Sequence, residues 1–324
     1  MHPYIDKQLF GRTLIIANPK AQSGAGKQAA ERLVRFLTMY LHVNPSSFDL
    51  VLTKAPRHAI QLASQARGYK TVCALGGDGI IHEVVNGLMQ IPAEKRPQFC
   101  LLPIGSGNDF ARTLGITDYR GQDFKPLLNC RPVKVDVGRI RHAKDGEPCS
   151  TTYFIETFSF GLDAAIALET ETIRAKTKLV GDALYLTSSL YTLKNNYRSY
   201  PSRANFDGID LDLNTIVMAV QLGPTYGSGF NICPDANNQD GLFDICYAKG
   251  PYPRLGATKV LLQAKEGKHV GHKRIRLMRA AHIVFDLPQA WPAQTDGEKI
   301  EATHFDIDIL KQELTVLKPY STTK

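Results

Sequence analysis

The 324-residue chain has no apolar segment able to span a bilayer. Its longest charge-free stretch, Leu213–Pro234, holds Gly223, Gly227, Gly229, Pro224 and Pro234. Such a stretch cannot make one apolar helix of about 20 residues. The opening Met-His-Pro-Tyr-Ile-Asp-Lys lacks the basic-then-apolar pattern of a secretory leader. The six cysteines contain no CxxC pair and the nine histidines show no ligand spacing. That argues against zinc and for reduced thiols in the core. A GxGxxG fingerprint is absent, and so is a Walker A loop: Ala21 stands where that loop needs glycine, and Gln28 where it needs Ser or Thr. No aromatic–basic RNA motif or recognition-helix pattern supports nucleic acid as a partner. Internal repeats and low-complexity segments are missing too. What remains is a soluble, cytoplasmic composition with 43% hydrophobic and 22% charged residues. Lys and Arg number 39 against 31 Asp and Glu, a net charge of +8, which predicts an anionic partner. The length predicts about two domains.

Residues 1–135 read as alternating strands and helices. Thr13–Ala17, Phe48–Leu52, Thr71–Leu75 and Phe99–Pro103 are short apolar runs. Between them Gly26–Tyr40, Pro56–Arg67 and Ile80–Met89 carry apolar residues at helical spacing. This pattern predicts a parallel sheet covered on both faces, with its ligand site beyond the carboxyl ends of the strands. Residues 136–312 change grammar. Lys134–Ile140, Tyr153–Phe160, Ile209–Leu213, Thr215–Leu222, Leu242–Ala248, His282–Asp286 and Phe305–Ile309 are strand-like. Only Asp163–Asn195, with Ile166, Leu184, Leu190 and Leu193 on an apolar face, and Arg254–Ala264 read as helical. The expected fold class is an α/β nucleotide-binding domain followed by a mainly antiparallel β-sandwich-like domain. A closing strand within residues 313–324 could return to either.

Three glycine-rich turns end strands of the first half. Asn18–Lys27 (NPKAQSGAGK) precedes a helix, and its backbone amides could hold an anion or simply form a β–α loop. Gly76–Gly79 (GGDG) carries Asp78. An acid inside an anion-binding loop calls for a cation between the two negative charges, which suggests Mg²⁺ bridging Asp78 to a phosphate. Asp78 could equally be an Asx-type turn residue. Behind it, Glu83 and Asn86 fall at helical spacing on one side of the expected pocket. Pro103–Arg112 (PIGSGNDFAR) repeats the arrangement with Ser106 and Asn108, and Asp109 is placed to cap the next helix.

Together these turns resemble the diacylglycerol kinase catalytic-domain family of lipid kinases, with its sphingosine and ceramide kinase relatives. GGDGIIHEVVNGL at 76–88 and LPIGSGNDFARTLGI at 102–116 carry the likeness, followed in family order by DVGRI at 136–140, FSFGLDA at 158–164, PDANNQDGLFD at 234–244 and QTDGEKI at 294–300. The resemblance implies an NAD-kinase-like domain, then a β-sandwich-like one, with ATP bound between them. Its nucleotide contacts fall on Asn18, Thr53, Gly77, Asp78, Gly79, Glu83, Ser106 and Asn108. A structural Mg²⁺ is implied at Asp240, with main-chain groups of Asn237 and Leu242. The proton-accepting role in phosphoryl transfer is implied for Glu298, with Asp296 in support and Asp78 as the rival base. Ile80 departs from the usual threonine of GGDGT, which puts one nucleotide contact in question. NAD kinase is the alternative within the class, though no PTGSTAY-like segment follows GGDG. A nucleotide sensor without catalysis is the alternative outside it.

Between Arg254 and Arg279 the chain carries Arg254, Lys259, Lys265, Lys268, Lys273, Arg274, Arg276 and Arg279 against Glu266 alone. A solvated face explains such a run. So does a peripheral contact with an anionic membrane surface, which suits an enzyme whose acceptor lies in a bilayer. Homodimerisation is left open.

Overall fold

The computed structural model describes residues 10–40, 44–116, 124–177, 179, 181–195 and 197–320. The chain forms two compact units. One runs up to Val135 and resumes at Gln312; the other is Asp136–Lys311.

The first unit alternates β1 (Thr13–Ala17), α1 (Gly26–Arg35), β2 (Phe48–Leu52), α2 (His58–Ser64), β3 (Thr71–Gly76), α3 (Asp78–Leu88), β4 (Gln98–Pro103) and α4 (Asp109–Thr113). β1 pairs with β2 on one side and β3 on the other, and β3 pairs with β4, all parallel. Strand order therefore reverses at β1, the kind of switch point where open α/β sheets bind ligands. Every residue of β1 and β3 is buried, as two covered faces demand. Ala29, Ala30 and Leu33 of α1, Ala59 and Ala63 of α2, and Val84, Val85 and Leu88 of α3 supply the cover. α1 is shorter than its periodicity suggests because Phe36–Tyr40 continues as one π-helical turn. α3 starts two residues before the expected Ile80, which puts Asp78 and Gly79 on the helix itself.

The second unit holds β5 (Cys130–Ala143, from Asp136), β6 (Ser150–Phe154), β7 (Thr157–Gly161), α5 (Leu162–Lys176), α6 (Gly181–Asn195), β8 (Tyr200–Phe206), β9 (Ile209–Gln221), β10 (Phe243–Lys249), α7 (Arg254–Ala264), β11 (Ile275–Ala280), β12 (His282–Asp286), β13 (Ala293–Thr295), β14 (Glu298–Ile300) and β15 (His304–Pro319, up to Lys311). Its strands pair antiparallel. The thirteen-residue β9 holds β8 along its first half, and β7 and β10 along its second. Phe158, Phe160, Phe206, Phe285 and Phe305 fill the core, with Phe158 and Phe305 ring centroids 4.9 Å apart.

Several expected boundaries move. Tyr153–Phe160 is two strands, because the chain turns at Ile155-Glu156 between β6 and β7. Ile209–Leu213 and Thr215–Leu222 merge into β9. Phe305–Ile309 and Glu313–Leu317 merge into β15, whose Gln312 takes φ 52°. The end of β15 returns to the first unit, where Val316 pairs parallel with Phe99 and Glu313 binds the buried Arg96 at 2.9 Å; residues 321–324 lie outside the described residues. The helical insert is two helices, with Ile166, Leu184 and Leu193 buried but Leu190 exposed. β8 went unread because Pro201 interrupts a run that nonetheless alternates in burial, and β11 because it lies inside the charge run. Five cysteines are buried, and Cys149 is exposed.

Candidate functional site

At the carboxyl edge of β2, β1, β3 and β4 the three glycine-rich turns lie side by side. The Asn18 N–H donates to Leu75 O at 3.0 Å, and the Thr53 N–H to Ala17 O at 2.9 Å, so Asn18 and Thr53 close adjacent strands. Asn18 Oδ1 accepts the Lys20 N–H at 2.9 Å and shapes the first turn. α3 begins here without a side-chain cap, at Gly77, whereas α1 continues from the helical turn Ala21–Gly24 through Ala25. The first N–H groups of a helix have no intrahelical acceptor, and with the helix dipole they favour an anion.

The glycines serve turn-on-turn contact. A Cβ at Gly105 would fall 2.5 Å from Gly77 Cα, and one at Gly107 would fall 2.6 Å from Asp78 Oδ2. The GGDG and PIGSG turns thus interlock at a separation no other residue permits. Asn108, at φ 54°, accepts the Gly105 N–H at 3.0 Å and donates to Gly105 O at 3.1 Å. It closes its own turn from a buried position and leaves Ser106 exposed at the tip.

The acids differ from expectation. Asp78 accepts the Asn108 N–H at 2.9 Å and the Asp109 N–H at 3.2 Å. It is Asp78, not Asp109, that caps α4; Asp109 pairs with Arg112. Helix N–H groups thus offset part of the Asp78 charge in this loop. Glu83 accepts from the Arg57 and Ala59 N–H groups at 2.8 and 3.1 Å and caps α2. Asn86 is buried and donates to His82 O at 2.9 Å, so it does not line the site. Ile80 is buried as well, its Cγ2 lying 2.5 Å from where a Cβ at Gly76 would stand. The side chain at 80 is therefore a core choice. Gly79 is half-buried in the first turn of α3.

In the second unit the QTDGE turn joins β13 to β14. Asp296 takes φ 48° and accepts three N–H groups, from Ile155 at 3.1 Å and from Glu156 and Thr157 at 3.0 Å. Its carboxylate ties the β13–β14 hairpin to the β6–β7 turn. Glu298, first residue of β14, is exposed.

The turn around Asp240 already satisfies its own oxygens. Asp240 Oδ1 accepts the Leu242 N–H at 3.1 Å, and Asn237 Oδ1 accepts the Gln239 N–H at 3.2 Å. The other Asp240 oxygen binds the Arg279 guanidinium, whose Nε lies 3.2 Å from Asp244 Oδ1. Arg279 supplies the positive charge that a divalent ion would bring. A Mg²⁺ held by Asp240 with main-chain groups of Asn237 and Leu242 would have to displace this guanidinium. Among the described residues, the His, Cys, Asp and Glu group with ligand atoms close enough for a metal is His282, Asp306 and Asp308. Arg139 and Arg141 already neutralise it, at 2.8 Å each.

One residue of the FSFGLDA motif received no role from the sequence. Asp163 is buried in the first turn of α5 and accepts the Tyr226 hydroxyl at 2.7 Å. Burial pushes it up to about 6, against the opposing pull of its Ser159 and Tyr226 hydrogen bonds. The visible signal was an acid directly after an apolar β-to-α turn. An acid raised in the folded state holds its proton longer there than when unfolded. Its penalty is absent below the unfolded value of 3.8 and complete once pH passes about 6. Asp163→Asn should therefore gain stability relative to the parent as pH rises through this window. Urea midpoints of both proteins across it test this; a constant difference would refute it.

Comparison with known proteins agrees with this architecture. Residues 12–140 match the diacylglycerol kinase catalytic domain, and residues 156–318 the YegS C-terminal NAD kinase beta sandwich-like domain. The two units are accordingly an NAD-kinase-like α/β domain and a β-sandwich-like domain with mostly antiparallel strands. The chain belongs to the diacylglycerol kinase catalytic-domain family of lipid kinases. It is similar to a probable lipid kinase YegS-like of Chromohalobacter salexigens, 29% identical over 80% of each chain. The relative of that name from Serratia proteamaculans is 27% identical, over 94% of this chain and 93% of its own. The fold is that of a diacylglycerol kinase crystal structure from Bacillus anthracis (TM-score 0.68, 20% identity, 97% and 98% of the two chains). It also resembles yeast NADH kinase (TM-score 0.54, 10% identity, 97% and 85%). No helix among the described residues is long and apolar enough to cross a membrane.

Proposed function

We propose that the protein transfers the γ-phosphoryl group of ATP, taken as its Mg²⁺ complex, to the hydroxyl of diacylglycerol or a similar lipid. The observation that carries this reading is the uncapped N-terminus of α3 in the GGDG turn, at the switch point of the parallel sheet. A polyphosphate matches its first N–H groups. In this reading Asn18, Thr53, Gly77, Gly79 and Ser106 contact the nucleotide. Asp78, Glu83 and Asn108 position those contacts from behind. The lipid hydroxyl oxygen forms a bond to the γ-phosphorus as the bond to the β–γ bridging oxygen breaks. ADP leaves with that electron pair, and the hydroxyl proton passes to the Glu298 carboxylate. Asp296 positions the hairpin that carries Glu298. The acceptor resides in a bilayer, so the enzyme works as a peripheral protein at an anionic membrane surface.

The test is to incubate the protein with γ-labelled ATP and Mg²⁺ over a panel of lipids in mixed micelles. Label should enter the organic phase for one lipid class, and Glu298→Gln should cut the rate about 10²–10⁴-fold. Label appearing in NAD, or in no acceptor, overturns the lipid-kinase reading. Full activity of Glu298→Gln overturns the proton-acceptor assignment.

A further inference from the structure

Helix α7 wears apolar residues on the wrong side. Val260 and Ala264 face a core shared with Ile232, Cys233, Cys246 and Ile275. The opposite face carries Leu255 and Leu262, 88% and 55% exposed, seven positions apart with Lys259 between them. Residues so spaced share one helix face. Val270, in the turn after the helix, is exposed as well. Leu255, Leu262, Thr258 and the stems of Lys259 and Lys268 line an open groove of about 440 Å³. Single exposed leucines are ordinary on a soluble protein. Two on one face, with no described residue covering them, are a liability unless something covers them.

The charges indicate what does. Of the eight cations between Arg254 and Arg279, Lys268 pairs with Glu266 and Arg279 with Asp240 and Asp244. Arg254, Lys259, Lys273 and Arg276 stay exposed. A second copy of the chain would bring the same cations against one another, which disfavours a symmetric dimer through this face. An anionic surface that is apolar beneath its charges complements both features. We infer that α7 and the turn after it form a docking face for an anionic lipid bilayer: Leu255 and Leu262 enter the headgroup–acyl boundary while Lys259 and its neighbours hold the headgroups. The inference rests on the lipid-kinase reading for its purpose and on this face alone for its physics.

Sedimentation with phosphatidylcholine vesicles, with and without phosphatidylglycerol, tests it without ATP or acceptor. The wild type should bind the phosphatidylglycerol vesicles and lose affinity as salt rises. The Leu255→Ala/Leu262→Ala double variant should bind them about tenfold more weakly. Both leucines are exposed, so its thermal midpoint and its rate on micellar lipid should not change. Equal binding by variant and wild type overturns the inference, as does wild-type indifference to phosphatidylglycerol. A variant that changes sedimentation velocity yet binds vesicles normally assigns the face to a second copy and overturns it too. A wild type that binds phosphatidylglycerol vesicles but phosphorylates no lipid would refute the proposed reaction and leave this face standing.

Discussion

Replacing Asp78 by alanine should lower the unfolding free energy of the protein by about 3 kcal/mol and its phosphoryl-transfer rate at least about a hundredfold. The stability loss follows from two N–H groups at the start of α4, those of Asn108 and Asp109, which lose a charged acceptor. Asn108 does not replace it, because its own side chain is spent on Gly105. The rate loss follows from geometry. The turn that carries Ser106 is held against Gly77 through Asp78, and once released it no longer presents its hydroxyl where the nucleotide would need it. Asp78→Asn keeps one acceptor oxygen and should fall between the parent and the alanine variant. Urea unfolding and nucleotide titration together decide the point. If alanine abolishes transfer but leaves the unfolding midpoint unchanged, Asp78 acts on the reacting groups, and the capping account fails.

A larger stability loss is expected for Asp296→Ala, about 3–5 kcal/mol. Three N–H groups of the β6–β7 turn lose their acceptor at once. Position 296 also takes φ 48°, a left-handed conformation that Asp and Asn tolerate and alanine resists. Asp296→Asn keeps both the backbone preference and one oxygen, so it should recover roughly half of the loss. A catalytic acid would behave otherwise: inactive as Asn, with native stability. Urea unfolding of the two variants beside their activity separates the cases.

Much of the fold was legible because it is written in local patterns. TLIIA and TVCAL are short, apolar and bounded by turn residues, and both proved to be fully buried parallel strands. The GGDG and PIGSG turns announced the ends of their strands and the starts of their helices. Errors gathered where local pattern and tertiary pairing diverge. Leu213 and Thr215 flank an asparagine that looked like a break, yet β9 runs through it, because β8 and β10 take over its two edges in turn. Arg254–Arg279 read as one charge run but contains a helix, a turn and a strand.

By itself, the sequence determined which residue types stand at the turns, and so the family and the class of chemistry. Only the tertiary structure decided what Asp78, Glu83, Asp240 and Asp296 do, because the decisive partner of each is distant along the chain. Asp78 meets an N–H 30 residues away, Glu83 one 26 residues back, Asp240 a guanidinium 39 residues on, and Asp296 its three N–H groups about 140 residues earlier. Spacing along the chain carries no information about such pairs. A buried or half-buried carboxylate takes whichever donors the fold brings within reach, since leaving its charge unbalanced costs more than any one of these bonds returns. The acids of GGDG and QTDGE could therefore be recognised as important from their turns alone, but their roles as capping and tying groups emerged only when α4 and the β6–β7 turn were in place.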